Sequence, residues 1–277
     1  MQETIAIACH PYRGDAIEAA DRMTGWLRDA GLRVIFPQKG EDAETCRLVV
    51  TFGGDGTMLS GARSALRYRC PLLGINLGTV GFLTEAEPIG LEELRDAILE
   101  RAYVIEPRSL LEVRVNDSPE RFLALNDAVV TRGGFARLIQ VETRISGSHW
   151  GTFIADGVIA ATPTGSTGYS LSAGGPVIAP GVECMAITPV CAHSLQHSPC
   201  VVPTESEVVF HLRSDRDQRA ELQIDGRSVT TLGAGDTVYV TGAEEKLRLA
   251  RIGSYPFFEV LQNKLNEWSR PGKEESR

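Results

Sequence analysis

Leu48-Val49-Val50-Thr51-Phe52, running straight into Gly53-Gly54-Asp55-Gly56-Thr57, is the stretch that decides how this chain folds. Five apolar or β-branched residues make a short buried strand. The glycines permit positive φ and close backbone approach, and Thr57–Arg67 has the pattern of a helix. A strand that turns through glycine into a helix leaves N–H groups free at the helix start, which suits phosphate. The string is neither a G-x-x-x-x-G-K-[ST] loop nor a G-x-G-x-x-G fingerprint. What it adds is a carboxylate, Asp55, which only repels a phosphate unless it has other work. Taking a proton from a hydroxyl that attacks that phosphate is such work, and general bases contribute roughly 10²–10⁴-fold. A structural alternative stands beside this one: a tight turn with Asp55 as helix N-cap.

Outward from the turn, the first third alternates strand and helix. Thr4–Ala8, Leu32–Phe36 and Pro71–Ile75 read as further buried strands. Ile17, Ala20, Met23 and Leu27 recur at helical spacing, and Leu91–Arg101 reads as another helix. This alternation predicts a Rossmann-like parallel sheet with helices on its faces. Past about residue 103 the period becomes two: Leu111, Val113 and Val115, then Ile139, Val141, Thr143 and Ile145, then Leu222 and Ile224, then Val238 and Val240. Turns at Asn116-Asp117 and Asp225-Gly226 punctuate a β-rich, sandwich-like region of half-buried antiparallel strands. Pro256–Trp268 is helical again, with Phe257, Val260, Leu261, Leu265 and Trp268 on one face, and is expected to pack back on the first domain. The expected division is residues 1–102 with about 255–270 as an α/β phosphate-donor domain, and 103–254 as a β-rich binding domain, with a frayed tail at 270–277.

Composition bounds the function. The net charge of −8 over 277 residues argues against a general nucleic-acid or membrane-surface binder, whose affinity comes from clustered positive charge. No apolar run reaches the roughly 18 residues needed to span a bilayer, and no signal peptide is evident. Cys9, Cys46, Cys70, Cys184, Cys191 and Cys200 form no C-x-x-C pair and read as reduced thiols of a cytoplasmic protein. His193 and His197 are four apart but lack a third ligand, so no protein-held metal is expected. The Arg213, Arg216 and Arg219 cluster is broken by Asp215 and Asp217 and reads as a solvated hairpin tip.

A second segment is as dense in chemistry as the first. Asp156-Gly157 leads to Thr162-Pro163-Thr164-Gly165-Ser166-Thr167-Gly168-Tyr169-Ser170-Leu171-Ser172-Ala173-Gly174-Gly175-Pro176. Hydroxyls at this density can read a base edge, a ribose or a phosphate, and Tyr169 offers a flat face to an adenine ring. The bland reading is a polar loop of Ser/Thr turns.

The Gly53–Thr57 turn resembles the G-G-D-G motif of the group containing NAD kinases, diacylglycerol kinases and 6-phosphofructokinases. The second segment is similar to the second signature of the NAD kinase family in particular. Further matches follow in order: Asn76-Leu77-Gly78 with Gly81-Phe82-Leu83, Asn126-Asp127-Ala128-Val129, Ile187–Leu195, Asp225-Gly226, and Tyr255-Pro256-Phe257-Phe258. The resemblance implies transfer of the ATP γ-phosphate to the 2′-hydroxyl of the adenosine ribose of NAD, giving NADP. It implies Asp55 as base, with Gly54, Gly56 and Thr57 facing the pyrophosphate and donor phosphates. It places Asn126 and Asp127 on NAD, Thr164, Thr167 and Tyr169 around the adenine end, and Phe82 in the pocket wall. Asp156 falls near the nicotinamide end and reaches toward a neighbouring subunit's site. Mg²⁺ or another divalent cation, held mainly by substrate phosphates, ATP or polyphosphate as donor, a homodimer or homotetramer, and an active site between the domains are implied as well.

Three positions depart from the family pattern. Asp127 stands where Glu is usual, one methylene shorter. Gly168 replaces Ala. Gln196-His197-Ser198 lacks an Arg often present in relatives. The alternatives are a lipid or sphingoid kinase sharing the G-G-D-G turn, which needs an apolar substrate groove, and a module that senses NAD without turnover.

Overall fold

A computed structural model of the chain describes residues 2–77, 81–84, 90–134, 137–193, 198–213, 218–253 and 255–268. The expectations that involve Gly78, Ser194–His197, Asp215–Asp217 and the 270–277 tail, as well as the Trp268 side chain, lie outside the described residues. The chain divides into two compact units, Met1–Glu106 with Arg248–Arg277, and Pro107–Leu247.

In chain order the elements are β1 (Thr4–Cys9), α1 (Gly14–Asp29), β2 (Arg33–Ile35), β3 (Leu48–Phe52), α2 (Asp55–Tyr68), β4 (Leu72–Ile75), α3 (Leu91–Glu100) and β5 (Val104–Arg108). Then come β6 (Leu111–Val115), β7 (Phe122–Ala124), β8 (Asp127–Thr131), β9 (Ile139–Ile145), β10 (Ser148–Ala155) and β11 (Gly157–Ala161). A short helix α4 (Tyr169–Ser172) precedes β12 (Cys184–Val190), β13 (Cys200–Pro203), β14 (Val208–Leu212), β15 (Arg219–Ile224), β16 (Arg227–Gly233) and β17 (Thr237–Gly242). β18 (Leu247–Arg251) and α5 (Phe257–Trp268) end the chain.

The first unit is the expected α/β domain. Its sheet runs β2-β1-β3-β4-β18-β5, and β2, β1, β3, β4 and β18 pair in parallel. β1, β3 and β4 are buried along almost their whole length, as strands covered on both faces must be. Their Ile5, Ile7, Leu48, Val50, Phe52 and Leu73 pack with Ala16, Ala20, Met23 and Leu27 of α1 and with Leu94 and Ile98 of α3. Each such Val, Leu, Ile, Met or Phe side chain stabilises the unit by about 1.5–3 kcal/mol. Ile17, expected on the buried stripe of α1, is instead 38% exposed. The stripe is Ala16, Ala20, Met23 and Leu27, and Ile17 lies one helical step off it. The return to this unit begins with β18, whose Leu249 pairs with Leu72. Two apolar residues at alternate positions, Leu247 and Leu249, were too short a signal to separate this strand from those before it.

The second unit holds two antiparallel sheets, β10-β9-β14-β17-β6-β7 and β13-β12-β11-β8-β15-β16. Val113, Val141, Phe153, Phe210 and Val240 of the first and Val130, Val158, Ile187 and Leu222 of the second share one core. β11 and β12 do not alternate; they are buried at every position. The reason is a second cover, since Ile159, Ala161 and Val190 pack against Ala173 and Ile178 packs against Cys184 and Ala186. The Thr162–Pro176 segment therefore lies on the outer face of this sheet. Among the described residues no helix is long and apolar enough to cross a membrane.

Candidate active site

The Gly53–Thr57 turn begins with backbone that only glycine adopts readily. Gly53 has φ +152°, and a Cβ there would lie 2.4 Å from Thr57 Oγ1. Gly54 is the N-cap of α2, its carbonyl accepting from Thr57 N at 2.9 Å and Met58 N at 3.1 Å. The helix thus starts at Asp55, two residues before the expected start at Thr57, and Asp55 caps nothing. Its carboxylate turns toward the next strand's loop. Phe82 N–H donates to Oδ2 and Leu83 N–H to Oδ1, each at 3.3 Å. A Cβ on Gly81 would meet Oδ1 at 2.2 Å, so glycine is what lets the loop close over the acid. Of the roughly four acceptor positions of a carboxylate, these two amides take two.

Beside the turn lies a cleft of about 1020 Å³ whose lining includes His10, Arg13, Lys39, Gly54, Gly56 and Thr57. Lys39 Nζ sits 4.5 Å from the Phe36 ring centroid, and Ile17 is on the wall. The misplaced apolar residue of α1 thus lines a cavity rather than the core. Free helix N–H groups beside Lys39 suit an anion, whereas Arg13 is engaged by Asp15 and Asp21 also lines the cleft.

In the second unit the Asn126-Asp127 turn is built by Asp225, which the sequence marked as a turn and a motif residue but not as a partner of this segment. Asp225 accepts from three successive backbone amides, Leu125 N at 3.0 Å, Asn126 N at 2.7 Å and Asp127 N at 3.3 Å. It can do so because Asp225 and Gly226 adopt positive φ, 50° and 74°, the hairpin conformation that Asp-Gly favours. Asp127 is 5% exposed, and its carboxylate has no hydrogen-bond partner among the described residues. Burial first, and then the neighbouring Asp225 charge, push it up to about 7.

The hydroxyl-rich segment is more self-contained than a reading loop. Thr162 Oγ1 donates to Leu125 O at 2.6 Å, Ser166 Oγ to Pro163 O at 2.7 Å, and Thr167 Oγ1 to Thr164 O at 3.2 Å. Ser170 pairs with Thr188 at 2.9 Å. Thr164 and Thr167 are buried, whereas Tyr169 is 45% exposed. The donors of Thr162, Ser166 and Thr167 are spent on structure, so Thr167 keeps only its lone pairs, whereas the Thr164 hydroxyl makes no hydrogen bond among the described residues. Burial pushes the Tyr169 phenol up, and nearby Cys191, Asp156 and Asp127 push the same way, so these side chains gather at one place. Asp156 is held by an ion pair with Arg132, a partner the sequence did not suggest.

Gly165 sets how closely this segment approaches Asn126. A Cβ there would lie 2.0 Å from Asn126 O and 2.4 Å from its carbonyl carbon. Both are backbone atoms that cannot swing aside. Gly165→Ala is expected to cost about 3 kcal/mol or more of stability, at the upper end of overpacking penalties. Gly168→Ala meets only Gly165 O, at 3.3 Å, and is expected to cost under ~1 kcal/mol. Urea melts of the two variants check the contrast, and equal losses would refute it.

The first unit holds a carboxylate at a phosphate-suited helix start, and the second, by itself, a buried acid and an exposed tyrosine in a hydroxyl-rich segment; the class these features suit is a phosphotransferase. Comparison with known proteins makes this particular. Residues 39–103 match the family model of the ATP-NAD kinase N-terminal domain, and residues 125–252 that of the ATP-NAD kinase C-terminal domain. The NAD kinase of Desulforamulus reducens is 36% identical over 96% of this chain and 98% of its own. That of Geobacter sulfurreducens is 42% identical over 79% of this chain and 78% of its own. Among solved structures, yeast NADH kinase complexed with NADH aligns at TM-score 0.85 and 25% identity, covering 99% of this chain and 90% of that one. An Archaeoglobus fulgidus NAD kinase in complex with ATP aligns at TM-score 0.72 and 27% identity, covering 95% and 98%. The chain belongs to the ATP-NAD kinase family. Its activity is accordingly phosphotransfer to NAD, and the lipid or sphingoid kinase and the NAD-sensing module are set aside.

Proposed function

We propose that this chain transfers the γ-phosphate of ATP to the 2′-hydroxyl of the adenosine ribose of NAD, with Asp55 as the base. The observation that carries the reading is the Asp55 carboxylate, fixed by Phe82 and Leu83 amides at the start of α2. As the ribose oxygen bonds to the γ-phosphorus and the bond to the ADP oxygen breaks, the hydroxyl proton passes to Asp55. Most of the remaining rate enhancement comes from positioning and charge stabilisation. The donor phosphates occupy the cleft at Gly54, Gly56 and Thr57, near Arg13 and Lys39. Asn126 and Asp127 hold the NAD ribose and base. Tyr169 stacks on the adenine between Thr164 and Thr167, Phe82 lines the pocket, and Asp156 serves the nicotinamide end.

Mg²⁺ fits this reading only as part of the ATP substrate. Mg²⁺ commonly binds through substrate phosphates while keeping its waters. Six free cysteines suit a reducing, nucleotide-rich compartment, the cytoplasm. Assembly as a homodimer or homotetramer belongs to the same proposal and is checked by light scattering.

The experiment is direct. Purified protein given ATP, Mg²⁺ and NAD is expected to produce NADP, with the new phosphate on the adenosine 2′ position by ³¹P NMR. NAD binding without any product would defeat the proposal. Replacing ATP by inorganic polyphosphate in the same assay decides the donor.

A further inference from the structure

Asp55 is held by a loop that is itself held from behind. Arg251, at the end of β18, is 4% exposed. Its Nη1 donates to Leu83 O at 3.4 Å and Thr84 O at 3.1 Å, and its Nε to Glu106 Oε2 at 3.3 Å. The guanidinium lies 4.0 Å from the Tyr255 ring centroid, within the range of a cation–π contact. Tyr255 in turn donates its hydroxyl to Phe82 O at 2.8 Å. The carbonyls of Phe82, Leu83 and Thr84 are thus gripped on one side. On the other, the amides of Phe82 and Leu83 point at the Asp55 carboxylate. Gly81 N–H closes the turn onto Thr84 Oγ1 at 3.1 Å.

We propose that Arg251 and Tyr255 are positioning residues for phosphoryl transfer, acting on Asp55 through the peptide groups of Phe82–Thr84. Neither side chain touches the acid. A peptide unit is planar, so a carbonyl fixed by Tyr255 or Arg251 also fixes the direction of the N–H attached to the same plane. The Phe82 carbonyl and the Leu83 N–H share one such plane. Tyr255 therefore aims the Leu83 N–H at Oδ1, and Arg251 keeps the following two carbonyls from rotating the loop away. Charge-assisted bonds from a buried guanidinium suit this work, because they are stronger than neutral ones and Glu106 balances the charge.

The proposal rests on Asp55 being the base, and the test separates the two ideas. Tyr255→Phe keeps the ring under the guanidinium and removes one hydrogen bond; Arg251→Lys keeps the charge and loses the fork. In steady-state NADP formation from ATP, Mg²⁺ and NAD, Tyr255→Phe is expected to lower kcat about 3- to 10-fold. Arg251→Lys is expected to lower it about 10- to 100-fold. KM for NAD should stay within about twofold, since the uniform binding contacts are untouched. On an Asp55→Asn background, each substitution should cost less than about twofold more, because residues acting through one group are non-additive. Full additivity on that background, or a loss that falls on KM instead of kcat, would overturn the positioning role and leave Asp55 in place as base. Wild-type kcat in Asp55→Asn alone would overturn the base and the positioning role together. Should Arg251→Lys not fold, Tyr255→Phe decides by itself.

Discussion

Asp55→Asn is expected to lower kcat at least about 100-fold while leaving NAD affinity within about twofold. The substitution is isosteric, so the packing of Gly81 against this side chain is kept. It removes the one property that the turn cannot otherwise supply, an acceptor for a proton. A loss of about 10²–10⁴-fold is the usual share of a general base, and a loss in kcat without a change in KM marks an interaction made in the transition state. One consequence is structural. Asp55 accepts from two amides, one on each oxygen, whereas Asn has a single acceptor oxygen. One N–H, of Phe82 or Leu83, then faces an amide nitrogen. A stability cost of about 1 kcal/mol should accompany the change. Asp55→Glu is not expected to match the parent, because an added methylene shifts the carboxylate from the Phe82 and Leu83 amides that orient it. Near-normal turnover by Asp55→Asn, measured with saturating ATP and NAD, would remove Asp55 from the base role.

The fold was legible where one residue pattern had one structural solution. β3 lies where the Leu48–Phe52 run predicted it, since a continuous apolar stretch ahead of a glycine turn has few other uses in a parallel sheet. Alternation marked β6 and β9 for a similar reason. It failed for β11 and β12, where both faces are covered and the pattern carries no period. It also failed for β18, whose partner β4 is far away in sequence and invisible to local periodicity.

The site was legible by residue type but not by connection. Asp55 and Asp127 stand out because a carboxylate in a glycine turn or a buried turn needs a reason. Asp225, Arg251 and Tyr255 act through backbone atoms of residues distant in the chain, and no spacing rule reports such contacts. The hydroxyls of Thr162, Ser166, Thr167 and Ser170 show a related ambiguity, since in the fold each bonds within the unit. A serine that caps its own loop and one that reads a ligand have the same composition signal. The chain is acidic, −8 overall, yet Arg13, Lys39 and residues of the α2 N-terminus line one cleft, a local grouping that net charge does not report.

Asp127→Asn is expected to stabilise the unliganded protein at pH 8 and to weaken NAD binding. In the folded chain this carboxyl titrates near 7, against an ordinary value of 3.8, because of burial and then the Asp225 charge. An acid whose folded value is raised holds its proton more tightly when folded. Its contribution is fully present below the ordinary value and is lost as pH rises through the folded one. The window therefore runs from about pH 4 to about pH 7, and the loss is on the order of 3–4 kcal/mol. Above that window the native state carries a buried anion with no partner among the described residues. Asn has the same shape and no charge, so at pH 8 the variant should gain about 2–3 kcal/mol in urea unfolding without NAD. Near pH 4, where Asp127 is protonated in the fold, the two proteins should differ by less than about 1 kcal/mol. The gain has a functional counterpart. A carboxylate accepts ribose hydroxyls with charge-assisted bonds, and exchanging these for neutral ones should weaken NAD binding about 10- to 100-fold by calorimetry at pH 8. A variant less stable than the parent at pH 8, or equally stabilised at pH 4 and pH 8, would show that the Asp127 charge is compensated in the fold and does not wait for a substrate.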